Sequence, residues 1–355
     1  MAFKKIVLAI GASMIVLLLT ECGLRVLARV GGNPSMVEDP SLGWDSLPSI
    51  KVIGEEIKGA PVLFLGDSFT QNNNWPDQVA RSLRLGGIIA GASGFGTYQE
   101  LLKLQKILPS KKPCMVVLQF YAWNDLRDNW AWPALGYCPE MLARPYLSPE
   151  GKEFRPEQFS KMENEFRITS YFTKRSLVRA WQRANKAINS EGIDSIALSR
   201  KQLVTGLCTT AAWEPFYLAD REDSPYVFGA WKVSEACILE IHRTCRERQI
   251  PLLVLALDAP FTVDKDKWLY LSSRQPQLDR NLPMQRLRRF LAKQNIPAVF
   301  PQEELRAWNL ITGKSVYDGE AESLIGHMTL EGQVVLAKIV ANALKGLKST
   351  SKGTQ

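Results

Sequence analysis

Residues 61–70 read Pro61-Val62-Leu63-Phe64-Leu65-Gly66-Asp67-Ser68-Phe69-Thr70. An unbroken apolar run behind a proline, closed by Gly-Asp-Ser, is the pattern of a short strand buried on both faces. Strands of that kind belong to parallel sheets covered by helices, and their carboxyl ends are where such folds gather reactive groups. Ser68 therefore stands at a strand-to-helix turn with its hydroxyl aimed at a cleft. A serine hydroxyl is a weak nucleophile until a base takes its proton, and histidine is the usual base. The chain holds 2 histidines. His327 sits in Gly326-His327-Met328-Thr329-Leu330-Glu331-Gly332, whereas His242 lies beside Ile238 and Ile241 in a helical pattern and reads as structural.

Outward from Ser68, short apolar runs alternate with helical patterns, the signature of a parallel α/β sheet. Strands are expected at 61–65, 87–91, 114–120, 251–257 and about 297–300. Helices are expected at about 75–84, 97–107, 231–249, 283–294 and 332–346, the last with Leu336, Ile339, Val340, Ala343 and Leu347 on one stripe. These elements make one domain over 59–347, an α/β fold. Residues 130–230, with Pro133, Pro139, Pro145, Pro149, Pro156 and clustered tryptophans, read as an insertion that shapes the cleft. Residues 30–58 read as a linker, and 348–355 as a disordered tail.

Composition narrows the function further. At 355 residues and 46% hydrophobic content the chain builds a sizeable core. The net charge of +8 is spread along the sequence without a basic block, which suits an anionic membrane or glycan and argues against nucleic acid. Residues 6–20 are apolar behind Lys4 and Lys5, and the pattern continues to Ala28 with only Glu21 and Arg25 interrupting it. An uncleaved signal anchor over residues 1–29, with the catalytic domain exported to the periplasmic or extracellular side, is the expectation; a cleaved signal peptide comes second, and a buried helix third. None of the 6 cysteines has CxxC spacing, and no Cys/His metal pattern occurs, so neither metal nor cofactor is expected. Cys114, Cys237 and Cys245 read as core residues; Cys138 and Cys208 lie in loop-like sequence and could pair in an oxidising compartment.

Four blocks now stand in order: Gly66-Asp67-Ser68-Phe69-Thr70, Gly91-Ala92-Ser93-Gly94-Phe95-Gly96-Thr97, Tyr121-Ala122-Trp123-Asn124-Asp125 and Gly326-His327-Met328-Thr329-Leu330-Glu331-Gly332. Singly they have plain readings: a helix N-cap at Ser68, turn glycines at Gly94 and Gly96, a strand-ending turn at Asn124-Asp125, a surface histidine. Together, over roughly residues 60–346, they resemble the SGNH (GDSL-type) hydrolase superfamily, as a membrane-anchored bacterial-type member. The resemblance implies a three-layer α/β/α sandwich with a parallel, flavodoxin-like sheet of about five strands. It also implies a nucleophile at Ser68, a general base at His327, and an oxyanion hole from the backbone N–H groups of Ser68 and Gly94 and the Asn124 amide. Glycine at position 94 lets a backbone N–H approach an oxyanion closely.

Two positions depart from the family pattern. Ala122 replaces a usual glycine, and the acid expected two or three residues before the histidine falls on Leu324 and Ile325. Asp318, Glu320 and Glu322 lie just upstream. Asp318 is the preferred triad acid and is expected nearest the ring, with Glu322 as runner-up; otherwise a backbone carbonyl orients the ring, leaving a Ser–His dyad. The expected chemistry is acyl-ester hydrolysis or O-acyl transfer through acyl-Ser68, on an acylated polysaccharide or other ester. The competing class is an SGNH-like protein that holds a glycan without turning it over.

Overall fold

Val62–Gly66 forms a strand buried along its whole length. It is flanked on both sides by parallel strands that cover its backbone groups, with Leu63 opposite Ile88 on one side and Val116 on the other. A computed structural model of the chain describes residues 36–135 apart from 55, 56 and 58, then 144–154, 210–320 and 326–352. The predicted anchor, Cys22, Cys138, Cys208, Glu322, Leu324, Ile325 and most of the predicted insertion lie outside the described residues.

In chain order the strands are β1 (Met36–Asp39), β2 (Gly43–Ser46), β3 (Lys51–Ile53), β4 (Val62–Gly66), β5 (Gly87–Gly91), β6 (Met115–Tyr121), β7 (Tyr146–Leu147), β8 (Glu153–Phe154), β9 (Leu252–Leu257) and β10 (Ala298–Val299). The helices are α1 (Ser68–Gln71), α2 (Trp75–Leu83), α3 (Thr97–Ile107), α4 (Ala122–Leu135), α5 (Pro225–Glu247), α6 (Pro260–Val263), α7 (Lys265–Ser272), α8 (Leu282–Lys293), α9 (Gln302–Thr312) and α10 (Leu330–Lys352).

The central sheet has 6 strands in the order β10-β9-β6-β4-β5-β3. Its parallel part is the flavodoxin-like order, with β4 first in sequence and β5 and β6 on either side of it. From β4 the chain steps one way to β5 and then back across to β6. Right-handed crossovers in opposite directions place the connecting helices on opposite faces. Accordingly α2 packs with α10, and α3 with α5 and α4, giving three layers. The reversal also opens a crevice at the carboxyl ends of β4, β5 and β6, where Ser68, Gly94 and Asn124 follow their strands.

The expected parallel strands are all present. The sixth strand corrects the reading of 30–58 as a linker: β3 pairs antiparallel with β5 at the sheet edge, Lys51 opposite Ile89. Before it, the β1–β2 hairpin is pinned to α3. Asp45 forms an ion pair with Lys103, which is fully buried, and Lys103 Nζ also donates to the Ser49 carbonyl at 2.7 Å. Gln99 Nε2 donates to the Leu42 carbonyl at 2.6 Å. Nothing in local periodicity announces partners this distant.

Other boundaries shift. Helix α5 starts at Pro225 rather than near 231, because the Ser224 hydroxyl caps it by accepting from the Val227 N–H. Cys237 and Cys245 on its inner face are buried as expected, Cys114 is half-buried, and His242 is a half-buried helix residue. Helix α10 runs to Lys352, so 348–352 are helical and not a disordered tail. Inside the predicted insertion, β7 and β8 form a small hairpin and Thr210–Tyr217 a 3-10 helix, whose Trp213 stacks on Trp123 at 4.5 Å.

Candidate active site

Ser68 opens α1 immediately after β4. The preceding Asp67 is the N-cap, its Oδ1 accepting from the Phe69 N–H at 2.8 Å, which fixes the turn that presents the serine. Gln119 of β6 holds the same turn from below, accepting from the Asp67 N–H at 3.2 Å and the Thr70 hydroxyl at 3.0 Å. Ser68 is only half-buried, so its hydroxyl reaches the crevice.

His327 meets it from the far end of the chain. Ser68 Oγ and His327 Nε2 stand 3.1 Å apart, 259 residues apart in sequence. With the ring proton on Nδ1, the hydroxyl donates to Nε2, which is the arrangement a general base requires. The imidazole lies against the Phe69 ring, centroids 5.1 Å apart and planes 31° apart, and Phe69 in turn packs on Tyr121 at 4.5 Å. Gln333 of α10 ties the two loops: its Oε1 accepts from the Asn74 N–H at 2.7 Å and its Nε2 donates to the Met328 carbonyl at 3.0 Å.

Gly94 and Asn124 follow the strands on either side of β4. Gly94 has φ +77°, a left-handed conformation that side chains rarely adopt. Its loop is held by Ser93, whose N–H donates to Gln71 Oε1 at 2.7 Å and whose carbonyl accepts from the Trp44 indole at 2.9 Å. Among the described residues, the backbone N–H groups of Ser68 and Gly94 donate to no protein acceptor, leaving both for a ligand oxygen. Asn124 lies in the first turn of α4, not in a strand-ending turn, and one hydrogen of its Nδ2 goes to Asp67 Oδ2 at 2.8 Å. The amide carries a second hydrogen that this bond does not use.

The electrostatics differ from an ordinary surface. Burial pushes the Asp67 carboxyl up to about 6, offset in part by its bonds from Asn124, Phe69 and Gln119 and by the nearby His327. Burial also drives Glu100 and Asp125, next to Asn124 in sequence, well above the usual carboxylate range; the charge of Asp67 raises Glu100 further, and Glu100 and Asp67 act likewise on Asp125. Both Glu100 carboxyl oxygens are buried with no hydrogen-bond partner.

Asp318, the acid expected to orient the ring, is bonded to the histidine's backbone. Its Oδ1 accepts from the backbone N–H of His327 at 2.8 Å, and its own N–H donates to the His327 carbonyl at 2.9 Å. The carboxylate thus positions the histidine loop and makes no bond to the ring. Gly326 allows this approach, since a Cβ there would stand 2.4 Å from Asp318 Oδ1. Glu320 is held through its carbonyl, which accepts from Lys267 Nζ at 2.6 Å. Among the described residues no group is bonded to Nδ1, and no cluster able to hold a metal occurs. Sequence reasoning missed the roles of Trp44, Phe69, Gln71, Gln119 and Gln333. Phe69 and Gln71 lie within or beside the serine block, but the others act across long separations that no spacing rule reveals.

No protein-family model matches the chain, and no curated protein matches it in sequence. Solved structures do. A GDSL-like lipase from Bacteroides thetaiotaomicron is 13% identical with a TM-score of 0.37, covering 81% of this chain and 88% of its own. A catalytic mutant of Axe2, an acetylxylan esterase from Geobacillus stearothermophilus, is 10% identical with a TM-score of 0.40 over 81% and 94% of the two chains. A lipase/acylhydrolase from Enterococcus faecalis is 14% identical with a TM-score of 0.38 over 81% and 96%. The site is accordingly read from its own geometry.

Proposed function

We propose that the protein is a serine-dependent acyl-ester enzyme. The observation that carries this reading is the 3.1 Å approach of Ser68 Oγ to His327 Nε2 beside unclaimed N–H groups of Ser68 and Gly94. His327 takes the hydroxyl proton as Oγ bonds to the ester carbonyl carbon, and the carbonyl electrons move onto its oxygen. That oxyanion rests on the two N–H groups and the free hydrogen of the Asn124 amide, donors worth ~2.7–4 kcal/mol each in the barrier. Collapse breaks the ester C–O bond, and His327 returns the proton to the departing alcohol. Water or a sugar hydroxyl then attacks acyl-Ser68, which makes the enzyme a hydrolase or an O-acyltransferase.

An acylated carbohydrate outside the cytoplasm is the substrate class we favour. The support is the resemblance of the four motif blocks to the SGNH superfamily and the apolar segment behind Lys4 and Lys5, read as a signal anchor. Among the described residues no helix is long and apolar enough to cross a membrane; the segment itself lies outside them. A glycan-binding protein without turnover is the second reading, favoured by the lack of a described partner on Nδ1. Turnover of 4-nitrophenyl acetate separates the two: the enzyme reading requires release of nitrophenol by wild type and its loss in Ser68→Ala, whereas equal background rates favour the binding reading.

A further inference from the structure

Beside the oxyanion loop, two guanidinium groups share one carboxylate. Arg127 and Asp128 stand three and four residues beyond Asn124 on α4, so all three occupy one helix face, a turn apart. Arg127 Nε donates to Asp128 Oδ1 at 2.7 Å. Arg144, from the segment before β7, approaches the other oxygen, with Nη1 3.4 Å from Asp128 Oδ2. Its guanidinium lies over the Trp44 ring, 4.7 Å from the centroid. The edge of that ring in turn borders Gly94, with Trp44 Cζ2 only 3.5 Å from where a Cβ would stand. The cluster is therefore one aromatic ring away from the oxyanion glycine.

Among the described residues its charges do not balance. Arg144 is 5% exposed, yet its Nε and Nη1 are buried without a hydrogen-bond acceptor, and the contact with Asp128 Oδ2 is too poorly aligned to be a hydrogen bond. A buried guanidinium with idle donors is costly, because a buried charge needs both a countercharge and acceptors for its N–H groups. Asp128 is the only acid that pairs with either arginine among the described residues. Arg127, with 22% of its side chain exposed, gives the cluster an open side. Among the described residues, two guanidinium groups thus share a single carboxylate, which leaves positive charge for a ligand to match.

We propose that Arg144 and Arg127 form an anion subsite flanking the oxyanion hole, which takes an oxyacid group, carboxylate or phosphate, carried by the substrate. Resting on the acyl-ester reading for what is turned over, this makes the preferred substrate an acylated anionic sugar in place of a neutral one. Guanidinium donors suit such oxyacids, and the +8 net charge of the chain draws anions toward it. Trp44 then has two duties: its indole N–H fixes the oxyanion loop through Ser93, and its face carries the arginine that selects the substrate.

Calorimetric titration of the full chain at low salt tests the site without any turnover. The ligands are methyl glucuronide, methyl glucoside 6-phosphate and neutral methyl glucoside. At least one anionic ligand should bind tenfold or more tightly than the neutral sugar, and the better of the two identifies carboxylate or phosphate. Arg144→Gln should erase the preference, and Arg144→Lys should keep part of it, since lysine retains charge but not the fork. Should Arg144→Gln fail to fold, Arg127→Gln serves as the second variant and should weaken the preference severalfold. Equal affinity for all three ligands, no binding of any, or a preference that survives both glutamine variants would overturn the proposal. Anion preference in a protein that cleaves no ester would keep the subsite and reject the acyl-ester reading; ester cleavage without anion preference would do the reverse.

Discussion

Asn124 Nδ2 donates to Asp67 Oδ2 at 2.8 Å, a bond between two buried residues that follow different strands. The same carboxylate caps the turn that carries Ser68, through the Phe69 N–H. One side chain therefore holds both the turn that carries Ser68 and the Asn124 amide. This coupling is possible because β4 and β6 are neighbours in the sheet and end at the same edge.

Asp67→Asn should expose that coupling. Asparagine keeps an oxygen for the Phe69 N–H but faces Asn124 with a donor where an acceptor was. The amide loses its orientation, and kcat should fall by about 10²–10³, the usual effect of losing one oxyanion donor, with KM nearly unchanged. Steady-state kinetics on an activated ester check this. A kcat within threefold of wild type would mean that Asn124 is held by something else.

At position 318 the carboxylate is bonded to the backbone of His327. Since Asp318 accepts from the His327 backbone and not from the ring, Asp318→Asn retains the needed oxygen. Its kcat should stay within about tenfold of wild type, while Asp318→Ala, which frees the loop, should lose more. Loss of a true orienting acid costs about 10⁴ in the serine-protease case. A fall of that order in Asp318→Asn would restore Asp318 as the partner of Nδ1.

Lys103 tests whether the amino-terminal hairpin is part of the fold. Lys103→Met strands the buried Asp45 carboxylate and should destabilise the domain by about 3–5 kcal/mol. Adding Asp45→Leu should recover much of that, because a buried ion pair replaced by apolar side chains is often close to neutral. Urea denaturation of the two variants reads both effects. An unchanged midpoint in Lys103→Met would show that residues 36–53 contribute little.

Asp258, at the carboxyl end of β9, gives a pH signature. Burial pushes its carboxyl up to about 7 from an ordinary 3.8, against the bonds it accepts from the Tyr217 hydroxyl and the Ala259 N–H. Between those values the folded chain holds a proton that the unfolded chain releases. Stability from this group therefore falls as pH rises through that window, by roughly 4 kcal/mol in all, and the full penalty stands above pH 7. Asp258→Asn removes it. The variant should gain on wild type from pH 4 to about pH 7 and level off above it, whereas a stability difference independent of pH would contradict the assignment.

Much of this architecture is legible in the chain itself. The parallel strands announce themselves as short apolar runs, and helices α2 and α3 fall at the helical patterns of about 75–84 and 97–107. Ser68, Gly94, Asn124 and His327 are found because each closes or follows such a run, and the sheet order brings the first three to one edge. What sequence does not reveal depends on distant partners. Strand β3 is recognisable only beside β5, Asp45 only beside Lys103, and the true partner of Asp318 only once Tyr317 and Met328 are paired across their bridge. Helix α4 is missed because it follows β6 without a single intervening residue, so strand and helix patterns run together.

The central claim is that Ser68 is a nucleophile activated by His327. Intact-mass measurement after exposure of the full chain to a fluorophosphonate tests it most directly. One covalent adduct is predicted on wild type, mapped to Ser68 by peptide sequencing, absent from Ser68→Ala and formed at least a hundredfold more slowly in His327→Ala. No adduct on wild type, or labelling that persists in Ser68→Ala, would contradict the account.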